Sequence, residues 1–225
     1  MDFHFTSNLA ADLGRVPYQL SLDLQHRLVS SVKADQVKGV LLFLDHDPVY
    51  TIGRKADPNN YPGLNPVKTE RGGDVTYHGP GQLVVYPVLR IDTGSGIDVR
   101  RYVNTIERIV INALHRFGYS ATVGEEPGIW VSFPGASSKV ASIGMAIDHG
   151  ISYHGVAINI SPEVLQGFAQ IRPCGLSPAV MGFVDISRGD LVKALLDGFA
   201  ENFGRFQWKS REEMLEIAGL ANQIF

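Results

Sequence analysis

Cysteine is almost missing from this chain: Cys174 is the only one in 225 residues. One thiol cannot close an internal disulfide, and without a Cys-x-x-Cys pair there is no structural zinc site, so nothing points to an oxidising compartment. An excess of one charge is also missing. Lys and Arg number 20 against 23 Asp and Glu, a formal net charge of -3, which gives no reason to expect nucleic-acid binding or attachment to an acidic membrane. The apolar runs are strand-sized, well short of the roughly 20 residues a membrane-spanning helix requires. The opening MDFHFTSNLAADLG has neither a cationic n-region nor a long apolar h-region, and the chain is expected to be soluble and cytoplasmic. The seven histidines are scattered without His-Glu-x-x-His or comparable spacing, so no metal site is expected. No repeat, low-complexity run or linker composition breaks the chain, and a 44% hydrophobic content can fill a substantial core, so a single domain over residues 1–225 is expected.

What is present reads as mixed α and β elements. Leu20, Leu24, Leu28, Val29 and Val32 recur at helical spacing, and the continuous apolar run Val40 to Leu44 follows as a buried strand. Pro48 ends that strand, and the Pro-, Gly- and Asn-rich stretch up to Pro66 reads as a long loop. Leu83 to Ile91 fits a strand; Tyr102, Ile106, Ile109, Val110, Ala113, Leu114 and Phe117 form one helix face, with Asp98 able to cap its start and Gly118 to end it. In Lys139 to Ile147 the alternate residues Ala141, Ile143, Met145 and Ile147 share a face that Lys139 heads. Asp148-His149-Gly150 is turn-like and Tyr153 to Ile160 returns, which predicts an antiparallel hairpin. Two helical patterns close the chain, one after Ser187 and one opened by the capping box Ser210 and Glu213.

Three constellations could carry chemistry. Arg71 to Gln82 (RGGDVTYHGPGQ) packs four glycines among Arg, Asp, Thr, Tyr, His and Gln. Glycines let backbone approach a ligand and present N–H groups to an anion or oxyanion, although such a stretch also fits an ordinary tight turn. It is not a phosphate loop, because the Gly-x-x-x-x-Gly-Lys-Ser/Thr spacing is absent. Cys174 lies between Pro173 and Gly175, which disfavour a helix interior or central strand and place the sulfur at a bend. A lone cysteine is more often a small buried hydrophobe than a nucleophile, and a thiol needs a cationic or hydrogen-bonding neighbour to become a ready thiolate. Lys139 could be that neighbour, since a desolvated lysine can trade protons with a thiol; a lysine at a strand end that merely reaches water is the bland alternative. Spacing alone does not bring Lys139 to Cys174.

At these residues the sequence resembles the lipoyl(octanoyl) transferase family. RGGDVTYHGPGQL is similar to the family signature, KVASIG to its lysine strand, YHGVAINI to the strand after it, and RPCGL to its nucleophile loop; Thr51-Ile52-Gly53-Arg54 is a weaker family-like feature upstream. The resemblance implies an α/β (α+β) fold, a mixed and largely antiparallel sheet with flanking helices, similar to the catalytic module of lipoate and biotin protein ligases. It makes Cys174 the acyl-thioester nucleophile and Lys139 its catalytic partner. Around the acyl chain and its carbonyl it places Arg71, Gly72, Gly73, Asp74, Val75, Thr76, Tyr77 and His78, then Ser142, Ile143 and Gly144, and Gly155, Val156 and Ala157. One departure stands out: the family usually has a Thr or Ser a few positions after the Cys-Gly-Leu, whereas here Ser177 follows at once and Pro178-Ala179-Val180-Met181-Gly182 comes next.

The implied activity is transfer of an octanoyl group from octanoyl acyl carrier protein to a lysine of a lipoyl domain, the first step of endogenous protein lipoylation. The acceptors would be the lipoyl domains of 2-oxoacid dehydrogenase complexes and the glycine cleavage H protein. No cofactor is implied, and a monomer is expected. The alternative is an ATP-dependent lipoate-protein ligase, which would adenylate a free acid and have no use for Cys174. A cysteine hydrolase would need a histidine base, for which His149 and His154 are candidates by identity only.

Overall fold

The computed structural model describes residues 7–91, 96–124 and 128–221. β1 (Asn8–Arg15), α1 (Tyr18–Lys33) and β2 (Gly39–Asp45) form the opening unit, whose two strands pair in parallel. β6 (Gln82–Leu89) runs antiparallel beside β2, followed by the hairpin of β10 (Ile151–Asn159) and β9 (Ala136–Asp148), then β8 (Ile129–Phe133) and β7 (Ala121–Val123). β11 (Phe206–Lys209) adds in parallel to the far side of β1, which completes an eight-stranded mixed sheet in the order β11-β1-β2-β6-β10-β9-β8-β7.

Helices cover both faces, and for that reason the central strands read as continuous apolar runs. On β2 and β6, Leu41, Phe43, Leu83 and Val85 pack with α2 (Val99–His115) and α4 (Arg188–Phe203) through Ile106, Val110, Leu191 and Phe199. The intervening Leu42, Leu44, Val84 and Tyr86 pack on the opposite face with α1 and α5 (Arg211–Ile217) through Leu24, Leu28, Val32 and Met214. The caps follow the sequence reading. Asp98 accepts the Arg101 N–H at the start of α2, Ser187 accepts that of Asp190 in α4, and Ser210 and Glu213 close a reciprocal capping box on α5.

The stretch expected to be one long loop up to Pro66 is more ordered than that. Val49–Ile52 forms β3, which pairs antiparallel with β5 (Val75–His78) and parallel with β4 (Val67–Lys68), and Pro58–Asn60 makes a short 3-10 turn. Four β-prone residues between turn-formers are too short a run to show alternation, and pairing with the distant β5 stabilises them. This three-stranded sheet and α3 (Val164–Phe168) enclose a third core of Ile52, Val75, Tyr77, Val164, Phe168, Ile171 and Met181, directly behind the Pro173–Gly175 turn. Among the described residues, no helix is long and apolar enough to cross a membrane.

Candidate active site

Cys174 sits in a one-turn 3-10 segment, Pro173–Gly175, and its own backbone is left-handed, with φ 58° and ψ 30°. For a residue with a β-carbon that conformation costs about 1–2 kcal/mol, and the loop must be held from outside to keep it. Gly175, also left-handed at φ 76°, bears no such cost. The turn closes through Gly175 N–H to the Arg172 carbonyl (2.9 Å) and Leu176 N–H to the Pro173 carbonyl (3.2 Å). Pro173 is buried, while Cys174 is exposed at the wall of a pocket.

Lys139 reaches the same pocket from β9, though it does not head the apolar face as alternation predicts. Trp130 of β8 pairs with Lys139 while the preceding Ile129 pairs with Ala141, so Val140 is the extra residue of a bulge. Val140 and Ala141, although consecutive, both lie in the core under α2 and α4. The bulge breaks the period of two, and Lys139 lines the pocket together with Ser142 and Gly144. Only 2% of Lys139 is exposed. Its stem lies over Gly128, where an added β-carbon would come 2.5 Å from Cε and 3.3 Å from Nζ.

The segment where the sequence departs from the family pattern runs from the Cys174 turn to the backbone of Lys139. Pro178–Val180 forms a second 3-10 turn, Met181 then bridges to Lys139 in parallel, and the Gly182 N–H donates to the Lys139 carbonyl at 2.9 Å. A chain of side-chain amides supports the same point. His78 Nδ1 donates to Gln82 Oε1 (2.8 Å), Gln82 Nε2 donates to Asn159 Oδ1 (3.0 Å), and Asn159 Nδ2 donates to the Gly182 carbonyl (2.8 Å). The glycine-rich signature is thereby tied to the backbone that holds Lys139.

Arg71 brings a buried positive charge to the pocket. Its guanidinium donates to the Thr51 carbonyl (2.7 Å), to Thr51 Oγ1 (3.0 Å) and to the Gly72 carbonyl (3.0 Å). Burial lowers its pKa from the usual arginine value, and nearby Tyr18, Tyr86 and Cys174 offset part of that effect. Space for this arrangement depends on missing side chains. A β-carbon on Gly53 would meet the carbonyls of Gly73, Gly72 and Arg71 at 2.5–2.8 Å, and one on Gly144 would stand 3.1 Å from Arg71 Cδ.

The rest of the pocket wall is a set of buried rings. Tyr18 stacks on His78 (5.9 Å between centroids), and His46, one layer behind, holds the Val16 carbonyl through Nδ1 (2.7 Å) and the Tyr86 hydroxyl through Nε2 (2.9 Å). His154 adopts φ 56° within β10, and its N–H, turned out of the ladder, donates to Gln25 Oε1 of α1 at 2.7 Å. Burial is the largest cause of each shift here. It lowers His46 and His154 to about 4, lowers His78 well below the ordinary histidine value, and raises Tyr18 to about 12. At neutral pH these histidines are uncharged, so the rings themselves add no charge to the wall.

Of the residues that the resemblance places around an acyl group, Arg71, Gly73, Asp74, Val75, Thr76, His78, Ser142, Ile143, Gly144, Gly155, Val156 and Ala157 line this pocket with Lys139 and Cys174. Two do not. Tyr77 points the other way on β5, with its ring against Phe168 and over Gly79 and Gly167. Gly72 is engaged in the backbone, its N–H donating to the Met145 carbonyl at 2.8 Å. Tyr18, Val84, Tyr86 and Pro173 also line the pocket, as does His154, which the sequence marks only by identity. Tyr86 and Val84 share strand parity, a usable signal once β6 is recognised; Tyr18, the first residue of α1, carries none. Among the described residues there is no cluster of three or more His, Cys, Asp or Glu able to hold a metal ion.

Comparison with known proteins agrees with this architecture. Residues 17–196 match the lipoyl protein ligase A/B catalytic domain. The octanoyltransferase of Geobacter metallireducens is 43% identical over 171 residues, covering 73% of this chain and 76% of that protein. The octanoyltransferase of Syntrophobacter fumaroxidans is 36% identical over 227 residues, covering 94% and 96%. In three dimensions the chain resembles a lipoate-protein ligase A bound with ATP, with a TM-score of 0.74 at 19% identity over 97% of this chain and 95% of the other. At that identity the likeness speaks for the fold.

Proposed function

The chain belongs to the lipoyl protein ligase A/B catalytic-domain family, and on that basis we propose that it transfers an octanoyl group to a lysine of a lipoyl domain through a thioester on Cys174, with Lys139 handling protons. The observation that carries this reading is that Cys174, Lys139 and Arg71, from three separate motifs, line one pocket with apolar Val75, Val84, Ile143 and Val156 beside them. An apolar pocket with a few convergent polar groups suits a medium-chain acyl group whose carbonyl must sit at a nucleophile.

The reaction balances without ATP. The Cys174 thiol passes its proton to Lys139, and the thiolate attacks the carbonyl of an octanoyl acyl carrier protein. The tetrahedral intermediate collapses with loss of the carrier thiolate, which leaves as a thiol with that proton. The acceptor lysine then attacks the enzyme thioester, Lys139 takes the amine proton, and the amide forms as Cys174 departs. The first exchange trades one thioester for another and is close to neutral; amide formation draws the sequence forward. The donor is octanoyl acyl carrier protein and the acceptors are lipoyl domains of 2-oxoacid dehydrogenase complexes and the glycine cleavage H protein, all encountered in the cytoplasm by a monomer.

Incubation with octanoyl acyl carrier protein, followed by intact and peptide mass spectrometry, tests this directly. An octanoyl adduct on the Cys174 peptide that disappears when apo lipoyl domain is added, with formation of the amide and no release of octanoate, is expected. Cys174→Ser should abolish the adduct and leave the circular-dichroism spectrum unchanged, because a hydroxyl is far less ionised than a thiol at neutral pH. Undiminished transfer by a folded Cys174→Ser protein, or a requirement for ATP and free octanoate, would remove the thioester route.

A further inference from the structure

The left-handed Cys174 turn lies outside the main sheet, and the 57–60 loop gives it a hydrogen-bonded hold. The backbone carbonyl of Asn60 accepts the Arg172 N–H at 2.8 Å, and the Arg172 carbonyl in turn accepts the Gly175 N–H that closes the turn around Cys174. Asn60 belongs to the Pro58–Asn60 3-10 turn, whose start is capped by the Asp57 carboxylate on the Asn59 N–H. That turn is fastened at both ends by Asp74. One Asp74 oxygen accepts the Asp57 N–H at 3.0 Å and the other accepts the Asn60 side-chain amide at 2.5 Å. Asp74 is 8% exposed. The resemblance suggests substrate contact for Asp74, yet its two carboxylate oxygens face the 57–60 loop.

We infer that Asp74 and Asn60 are positioning residues for the nucleophile: the Asp74 to Asn60 to Arg172 chain fixes where the Cys174 turn stands against Lys139. The inference rests on the reading of Cys174 as the acylated residue. The physical reason is that a turn containing a left-handed non-glycine residue relaxes when its external tie is cut, and a displacement on the order of 1 Å costs up to 100-fold in a step that needs aligned atoms. The pair is also chemically directional. A carboxylate opposite an amide N–H is a charge-assisted bond; a carboxylate opposite another carboxylate is repulsive.

The test is single-turnover acylation by octanoyl acyl carrier protein in four proteins: Asn60→Ala, Asn60→Asp, Asp74→Asn with Asn60→Asp, and Cys174→Ser as the control on the underlying reading. Asn60→Ala and Asn60→Asp should slow the acylation step about tenfold or more at saturating donor, with the half-saturating donor concentration changed less than about threefold. The reciprocal swap restores an amide facing a carboxylate and keeps an acceptor for the Asp57 N–H, so it should recover most of the rate, which a general loss of stability would not allow. Acylation by folded Asn60→Ala within twofold of the parent overturns the inference. If Asn60→Ala fails to fold, a swap that is no faster than Asn60→Asp overturns it as well. An octanoyl adduct on a residue other than 174 in Cys174→Ser would instead remove the reading on which the inference depends, so the two failures are distinguishable.

Discussion

At the scale of single residues, Lys139 and Cys174 each carry an energetic cost that isolated side chains would avoid. Lys139 is nearly fully buried and Cys174 holds a left-handed backbone. If the two act as a pair, the ammonium promotes the thiolate, which is the form that attacks. Lys139→Ala should therefore slow iodoacetamide alkylation of Cys174 near neutral pH by roughly tenfold. Lys139→Arg keeps a positive charge that cannot be given up as a proton, so alkylation should survive in part while acyl transfer is lost. Superimposable alkylation-pH curves for the parent and both variants would dissolve the pair. The identities of both residues could be read from their motifs. Their place in one pocket could not, because it depends on a bulge at Val140 and on the Met181-Gly182 segment, neither of which has a sequence period.

At the scale of elements, the β9–β10 hairpin decides the shape of the pocket. Its two-residue turn uses His149 and Gly150, both left-handed at φ 47° and 78°, which matches the twist of paired antiparallel strands and sets the register Asp148 to Ile151. That register puts Gly144 opposite Gly155. The absence of a side chain at Gly144 leaves room for the buried Arg71, whose Cδ would be 3.1 Å from an added β-carbon, with the Gly72 carbonyl at 3.2 Å. Gly144→Val should therefore push Arg71 and the signature loop aside. The expected result is a loss of roughly tenfold or more in acylation rate, with a melting temperature lowered by only about 2–4 °C. Parent-level acylation in Gly144→Val would show that Arg71 need not stand where it does. The hairpin itself was legible from alternation and turn residues. β3 was not, because four residues between turn-formers give too little pattern and a partner on β5 supplies the stability.

At the scale of the whole molecule, the buried histidines make folding sensitive to acid. His46 and His154 are lowered to about 4 by burial, and His78 moves in the same direction. A lowered histidine pKa means that the unfolded chain takes up protons first, so stability is full above the unfolded value near 6.5 and falls as pH drops toward 4. By pH 5 the loss should be about 2 kcal/mol for His46, and His154, whose ring lies 3.5 Å from a Glu70 carboxylate oxygen, adds in the same direction. Urea denaturation at pH 7 and pH 5 checks this; unchanged stability between them would mean that these rings already carry charge in the fold, or are hydrated there. Helices, their caps, the central strands and the hairpin follow from local preference and apolar period, which act over a few neighbouring residues, and the motif residues follow from their resemblance to a family. The neutral histidine wall, the bulge that turns Lys139 into the pocket, the burial of Tyr77 in the third core away from the pocket, and the hold of Asp74 and Asn60 on the Cys174 turn have no local signature. Each depends on desolvation, strand register or a hydrogen bond between residues distant in the chain, and those energies exist only once the fold has brought the partners together.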